Sequence, residues 1–165
     1  MTETLLAAIG IGANLDGPAR QVRNALAALN AMPYSRLIAA SSLYGNPPMG
    51  PSDQPDYINA VALVETRLRA NSLLTELQTV EFRQGRRRGG LRWGARTVDL
   101  DLLCYGTHVI NTARLTVPHP GIGERAFVVL PLREIAPALE IPGLGPVAQL
   151  AARFDASTLV PVDGR

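Results

Sequence analysis

The chain contains no lysine: all 16 of its basic residues are arginine. Whatever genomic bias lies behind it, this excludes every nucleotide site built on a lysine, the P-loop and protein-kinase sites among them. A single cysteine, Cys104, excludes an intramolecular disulfide and a cysteine-based zinc cluster, and its apolar surroundings predict a buried thiol. Charge is sparse as well. With 18% charged residues and a net charge of +2, the chain as a whole lacks the field that would mark a nucleic-acid binder, so any strong positive potential must be local. Long apolar runs are also missing: the run after Glu3 is too short for a signal peptide or a membrane span and has no basic residues before it. These features predict a soluble, cytoplasmic protein with no membrane partner. No internal repeat and no low-complexity tail interrupt the chain.

With 165 residues and 47% hydrophobic content, there is enough material for one domain, residues 1–165. "LLAAIGI" (5–11) reads as a strand, followed by a helix that starts near Asp16 and Pro18 and carries Val22, Ala25, Leu26 and Leu29 at helical spacing. "LIAASSLY" (37–44) and "YINAVALVETRL" (57–68) read as strands joined by a proline-stiffened loop. Ser72 is expected to cap a second helix that stops at Gly85, and "TVDLDLLCY" (97–105) reads as a further strand. The order βαββαβ predicts a ferredoxin-like α+β sandwich, with two helices on one face of an antiparallel sheet. A C-terminal extension adds short strands around 108–117, a helix near 121–136 and a helical turn near 146–152.

Candidate chemistry gathers in "RRRGGLRWGARTVDLDLL" (86–103). Strand alternation points Asp99 and Asp101 to one side and Val98, Leu100 and Leu102 to the other, the core side. At about 5 Å and an effective dielectric of about 20, the two carboxylates repel by on the order of 3 kcal/mol, a penalty that a divalent cation reverses. Oxygen-only ligands suit Mg²⁺; a solvated polar strand face is the bland alternative. Arg86, Arg87, Arg88, Arg92 and Arg96 offer planar forks for phosphate oxygens, and the glycines at 85, 89, 90 and 94 let the segment close over a ligand; a basic surface loop, such as one for RNA, is the competing account. Acids beside arginines fit phosphoryl transfer, with a metal held on a polyphosphate and developing charge neutralised.

Other residues fit a small planar acceptor. Trp93 and Phe127 could stack on a ring, and Tyr57 with Asn59 share one strand face, where the Asn amide can donate and accept at a heterocycle edge. His119, between two prolines, is either a phosphate contact or a structural residue. "GIGAN" (10–14) lacks the third glycine and the downstream acid of a dinucleotide fingerprint.

"GANL", "SSLYGNPPMGPSDQPDYINAVALVET", "RWGARTVDLDLL" and "RLTVPHP", in that order and spacing, closely resemble the 6-hydroxymethyl-7,8-dihydropterin pyrophosphokinase family of folate biosynthesis, across about residues 5 to 155. The resemblance implies transfer of the β,γ-pyrophosphoryl group of ATP to the pterin hydroxymethyl oxygen, with release of AMP. It also implies that Asp99 and Asp101 hold two Mg²⁺ ions and that Arg86 and Arg96 are mobile catalytic arginines. The pterin would lie between Tyr57 and Phe127, with Asn59 and the backbone around Asn46, Pro47 and Met49 reading its edge and Trp93 nearby. Gln78, Glu81, Arg88, Trp93, Arg114, Thr116, His119 and Arg125 would contact ATP or line its path. The implied enzyme is a monomer whose partners are ATP and the pterin, without nucleic acid. Three positions depart from the family pattern: Asn46 for threonine, Ala95 for proline and Pro120 for tyrosine. A ferredoxin-like RNA-binding module and a non-catalytic pterin carrier are the rival readings; the first would present an open sheet face with aromatics on its central strands.

Overall fold

A computed structural model of the chain describes residues 3–47, 55–85 and 98–162. Strand β1 (Leu5–Ala13) is an apolar run in which every residue from Ala7 onward is buried. Helix α1 (Pro18–Asn30) opens on a proline, whose missing N–H costs nothing in a first turn, and buries Val22, Ala25 and Leu29 along one stripe. Gly17, at φ 69°, makes the left-handed turn ahead of it.

The stretch expected as one strand over 37–44 is instead two, β2 (Ser35–Ala40) and β3 (Tyr44–Asn46). Both pair with β4 (Tyr57–Thr66), β3 along its first residues and β2 along its last. At the break, Ser41 N–H donates to the Val61 carbonyl at 2.9 Å, while the Ser41 hydroxyl accepts from Val61 N–H at 2.9 Å. A side chain thus replaces a backbone acceptor in the ladder, which keeps the buried amide satisfied. Helix α2 (Ala70–Arg83) begins before Ser72, with Arg69 at its N-cap and no side-chain cap, so Ser72 lies in the first turn rather than at the expected cap.

Strands β5 (Asp99–Tyr105), β6 (Ile110–Asn111) and β7 (Thr116–Val117) follow, then α3 (Ala126–Ile135), β8 (Glu140–Ile141), β9 (Gly145–Pro146), α4 (Val147–Ala151) and β10 (Val160–Pro161). The main sheet runs β10-β3-β4-β1-β5, with β2 on the same side of β4 as β3, and its pairings are antiparallel. Among the described residues the fold is therefore mixed α/β, an antiparallel sheet with four α-helices.

Alternation along the central strands gives the sheet two apolar faces. Ala7, Ile9 and Ile11 of β1 with Ala60, Ala62 and Val64 of β4 pack against α1 and α2. Ala8, Val61 and Leu63 pack with Val128, Leu132, Val147 and Leu150 of α3 and α4. The segment read from sequence as an extension is thus the second helical layer. A β-bulge fits β5 to both layers: Leu102 stands opposite Ile9 and Cys104 opposite Ala8, which makes Leu103 the extra residue. Leu100 and Leu102 join the first core, and Leu103 and Cys104 the second.

Candidate active site

Directly paired residues in a sheet share a face, so the register sets out rows across β4, β1 and β5. Asn59, Gly12 and Asp99 form one row, and Val61, Gly10 and Asp101 the next. Leu100 and Leu102 are buried on the other side, while Asp99 is half-buried and Asp101 exposed, as the strand alternation predicts. With strands about 4.8 Å apart, the Asn59 and Asp99 backbones stand about 10 Å from each other, and between them β1 offers only Gly12. A Cβ added to Gly12 would meet Asn59 Oδ1 at 2.7 Å. In sequence, these glycines match only part of a dinucleotide fingerprint. Two glycines spaced by one residue inside a strand were the available signal for a floor that other groups cross closely.

Asn59 is buried, and its Nδ2 donates to Asn46 Oδ1; the Asn46 amide in turn donates to the Pro47 carbonyl at 3.1 Å. Asn46 and Tyr57 are register partners. Burial first, and then the Asp99 charge, push the Tyr57 hydroxyl above its ordinary pKa, so the phenol stays protonated on the same face as the acids. Asn14, buried just past β1, donates to the Pro55 carbonyl at 3.1 Å and so anchors the chain at the entrance to β4.

A second wall follows β7. His119 N–H donates to the Leu103 carbonyl at 2.9 Å, and its Nδ1 accepts from Gly121 N–H at 3.1 Å, which leaves the neutral ring's proton on Nε2. Burial lowers the His119 pKa; Asp101 raises it and Arg125 lowers it further, so both charges act on this ring. Arg125 folds over Gly121, where a Cβ would come within 2.8 Å of its Nε, and its guanidinium carbon lies 5.8 Å from the centre of the Phe127 ring. Asp101, His119, Arg125 and Phe127 are thereby gathered at one end of the second layer.

Helix α2 supplies the edge beside β5. Glu81 is buried, and its Oε2 accepts from Leu100 N–H at 2.7 Å, at the residue between the two aspartates. Among the described residues β5 ends the sheet, so this carboxylate satisfies an amide on the sheet's edge. Gln78 is exposed one turn earlier, and Thr116 is exposed on β7. Arg114 donates to the Asn71 carbonyl at 3.3 Å and to Thr75 Oγ1 at 2.6 Å, which lays it on the first turns of α2. Met49, Arg86, Arg88, Trp93 and Arg96 lie outside the described residues. Among the described residues no group of three or more His, Cys, Asp or Glu side chains is arranged to hold a metal. The pair Asp99 and Asp101 matches the donor chemistry of Mg²⁺, which takes one or two carboxylates and completes its shell with water and phosphate oxygens.

A family profile for 7,8-dihydro-6-hydroxymethylpterin-pyrophosphokinase (HPPK) matches residues 8–137. The chain belongs to this family. A Haemophilus influenzae relative named 2-amino-4-hydroxy-6-hydroxymethyldihydropteridine pyrophosphokinase is 45% identical over 150 residues, which cover 91% of this chain and 93% of the relative. A Pseudomonas aeruginosa relative of the same name is 46% identical over 134 residues, covering 81% and 82%. Among solved structures, Plasmodium falciparum HPPK-DHPS with pteroate shares the fold at a TM-score of 0.72 and 14% identity; the match covers 93% of this chain and 43% of that one. The chain thus spans less than half the length of that larger protein.

Proposed function

We propose that the face shared by β4, β1 and β5 is where the chain transfers the pyrophosphoryl group of ATP to 6-hydroxymethyl-7,8-dihydropterin. The reaction class follows from the family: the chain is a pyrophosphokinase of folate biosynthesis, with ATP as co-substrate. The acceptor hydroxyl oxygen bonds to the β-phosphorus and gives up its proton, the bond from that phosphorus to the α-phosphate oxygen breaks, and AMP leaves.

The observation that carries the site assignment is the row Asn59–Gly12–Asp99. An amide able to read a heterocycle edge and a carboxylate able to hold a cation face the same way, about two strand spacings apart, on either side of a glycine that has no side chain of its own. That span suits a bicyclic ring whose hydroxymethyl arm reaches toward a polyphosphate. Tyr57 and Phe127 would bound the ring, with Asn59, Asn46, Pro47 and Met49 along its edge and Trp93 beside it. His119, through Nε2–H, and Arg125 would meet phosphate oxygens, with Gln78, Arg88, Trp93, Arg114 and Thr116 along the ATP path. Glu81 would act from behind by holding the Leu100 amide. Arg86 and Arg96 would close over the bound substrates. Asp99 and Asp101 would hold Mg²⁺, two ions in this proposal, which when bound neutralises phosphate charge and polarises the phosphorus centre.

The order β2-β4-β1-β5, with α1 and α2 between the strands in sequence, supports a ferredoxin-like core. Residues 1–165 would act as one cytoplasmic, monomeric unit; no helix among the described residues is long and apolar enough to cross a membrane. Coverage of the second sheet face by α3 and α4 disfavours the RNA-binding alternative, which needs that face open. The deciding assay is AMP formation by the purified chain. AMP is expected only when ATP, Mg²⁺ and 6-hydroxymethyl-7,8-dihydropterin are all present, and Asp101→Asn should remove most of it. ATP turnover indifferent to the pterin would sink the assignment.

A further inference from the structure

Glu134 belongs to none of the groups assigned above. It lies on the last turn of α3, exposed to solvent, yet its carboxylate is tied to the chain break between β2 and β3. Ser42 N–H donates to both Oε1 and Oε2 at 3.0 Å, the Ser42 hydroxyl donates to Oε2 at 2.8 Å, and the Tyr44 hydroxyl donates to Oε1 at 2.7 Å. These contacts join residues 90 to 92 positions apart in sequence. Bonds to an ionised acceptor are roughly twice as strong as neutral ones, and several on one carboxylate fix its direction as well as its place.

Each end of this tie leads to the proposed pterin site. Tyr44 begins β3 and stands opposite Asn59, and Asn46, two residues on, stands opposite Tyr57 and holds the Asn59 amide. Phe127 lies seven residues before Glu134 on α3, so the two side chains project from nearly the same side of the helix, separated by about 10 Å along its axis. Between them Pro131 has no N–H to give the Phe127 carbonyl, so the helix's own ladder is interrupted at the residue that would cover the ring. Tyr44 and Phe127 both pack on the second core. The α3 layer and the β3–β4 edge, which would bound the proposed pterin site, are therefore tied together by one carboxylate.

We infer that Glu134 is a positioning residue for the pterin pocket, setting the separation between Phe127 and the Asn46–Asn59 edge through Ser42 and Tyr44. The inference rests on the pterin assignment made above. It is tested with the full chain and Mg²⁺, using α,β-methylene-ATP, whose carbon bridge blocks transfer. Affinity is read for the nucleotide alone, then for 6-hydroxymethyl-7,8-dihydropterin with the nucleotide bound. Glu134→Ala is expected to raise the pterin Kd about tenfold or more, the scale on which displacement of a positioned group acts, and to leave the nucleotide Kd within about twofold. Glu134→Gln, which keeps the shape and one accepting oxygen, should recover part of the loss. Tyr44→Phe should shift the pterin Kd in the same direction by less, and adding it to Glu134→Ala should cost nothing more, because both remove the same tie.

Equal weakening of pterin and nucleotide by Glu134→Ala, or an unchanged pterin Kd, overturns the inference. Should Glu134→Ala fail to fold, Tyr44→Phe and Ser42→Ala decide it by the same criterion, and no pterin-selective loss in either is fatal. A parent chain that binds the nucleotide but not the pterin condemns the pterin assignment itself, an outcome visible before any variant is made.

Discussion

At Gly12 the proposed site depends on an atom that is missing. Adding one methyl group there puts a carbon 2.7 Å from Asn59 Oδ1, and Asn59 has little freedom to retreat because it is buried and bonded to Asn46. Gly12→Ala is expected to raise the pterin Kd about tenfold or more while leaving nucleotide affinity nearly unchanged, since a displacement of about 1 Å at a positioned group costs up to about 10²-fold. Isothermal titration with each substrate checks it, and equal losses would count against the floor. His119 supplies a pH signature. Its folded pKa lies below the ordinary 6.5, so as pH falls below that value the unfolded chain takes up the proton first. The stability associated with the neutral ring is present above about 6.5 and is lost as pH falls through the folded pKa. His119→Asn places an oxygen where Nδ1 accepts from Gly121, and its urea stability should change less between pH 7.5 and 5 than the parent's. A parent with the smaller change would contradict this. Residues that sit on a regular strand, such as Asp99, Asp101, Tyr57 and Asn59, were legible in the sequence because a period of two fixes which side they face. Gly12 was not, because its role depends on which strand lies beside it.

For whole elements, legibility followed the same divide. α1 and α2 follow from their apolar spacing, and the central strands from their apolar runs. The bulge at Leu103 and the split of 37–44 into β2 and β3 left no trace in sequence, because both are set by partners, Ala8 and Ile9 in one case and Val61 in the other. Glu81 shows how one element disciplines another. Its carboxylate does for β5 what a further strand would otherwise do, at the amide between the two acids. Glu81→Ala leaves a buried N–H without its acceptor and is expected to cost about 1–3 kcal/mol in urea unfolding, whereas Glu81→Gln, which retains an accepting oxygen, should cost less. The Leu100 amide should exchange with deuterium much faster in the alanine variant. An unchanged exchange rate would show that β5 holds its edge without help.

Taken whole, the molecule is a sheet between two helical layers, and the second layer is the part least legible in the sequence. Nothing in the spacing of 121–152 says which face its helices will choose, since that choice depends on Ala8, Val61 and Leu63 pointing away from α1 and α2. Cys104 lies beneath that second layer, fully in the core, its thiol pushed by burial up to about 12. As long as α3 and α4 stay seated, the sulfur is both unreachable and un-ionised. It is also the chain's one cysteine, in a protein without a single lysine amine to compete for an electrophile. The fold has therefore built its own clock. Pulsed alkylation of the native chain should register one modification, slow and first-order, at the rate at which the second layer lifts from the sheet. Saturating both substrates should lengthen that time if Phe127 and Arg125 close on them, and a labelling rate indifferent to substrates would mean that the layer carrying those residues does not tighten when the site is filled.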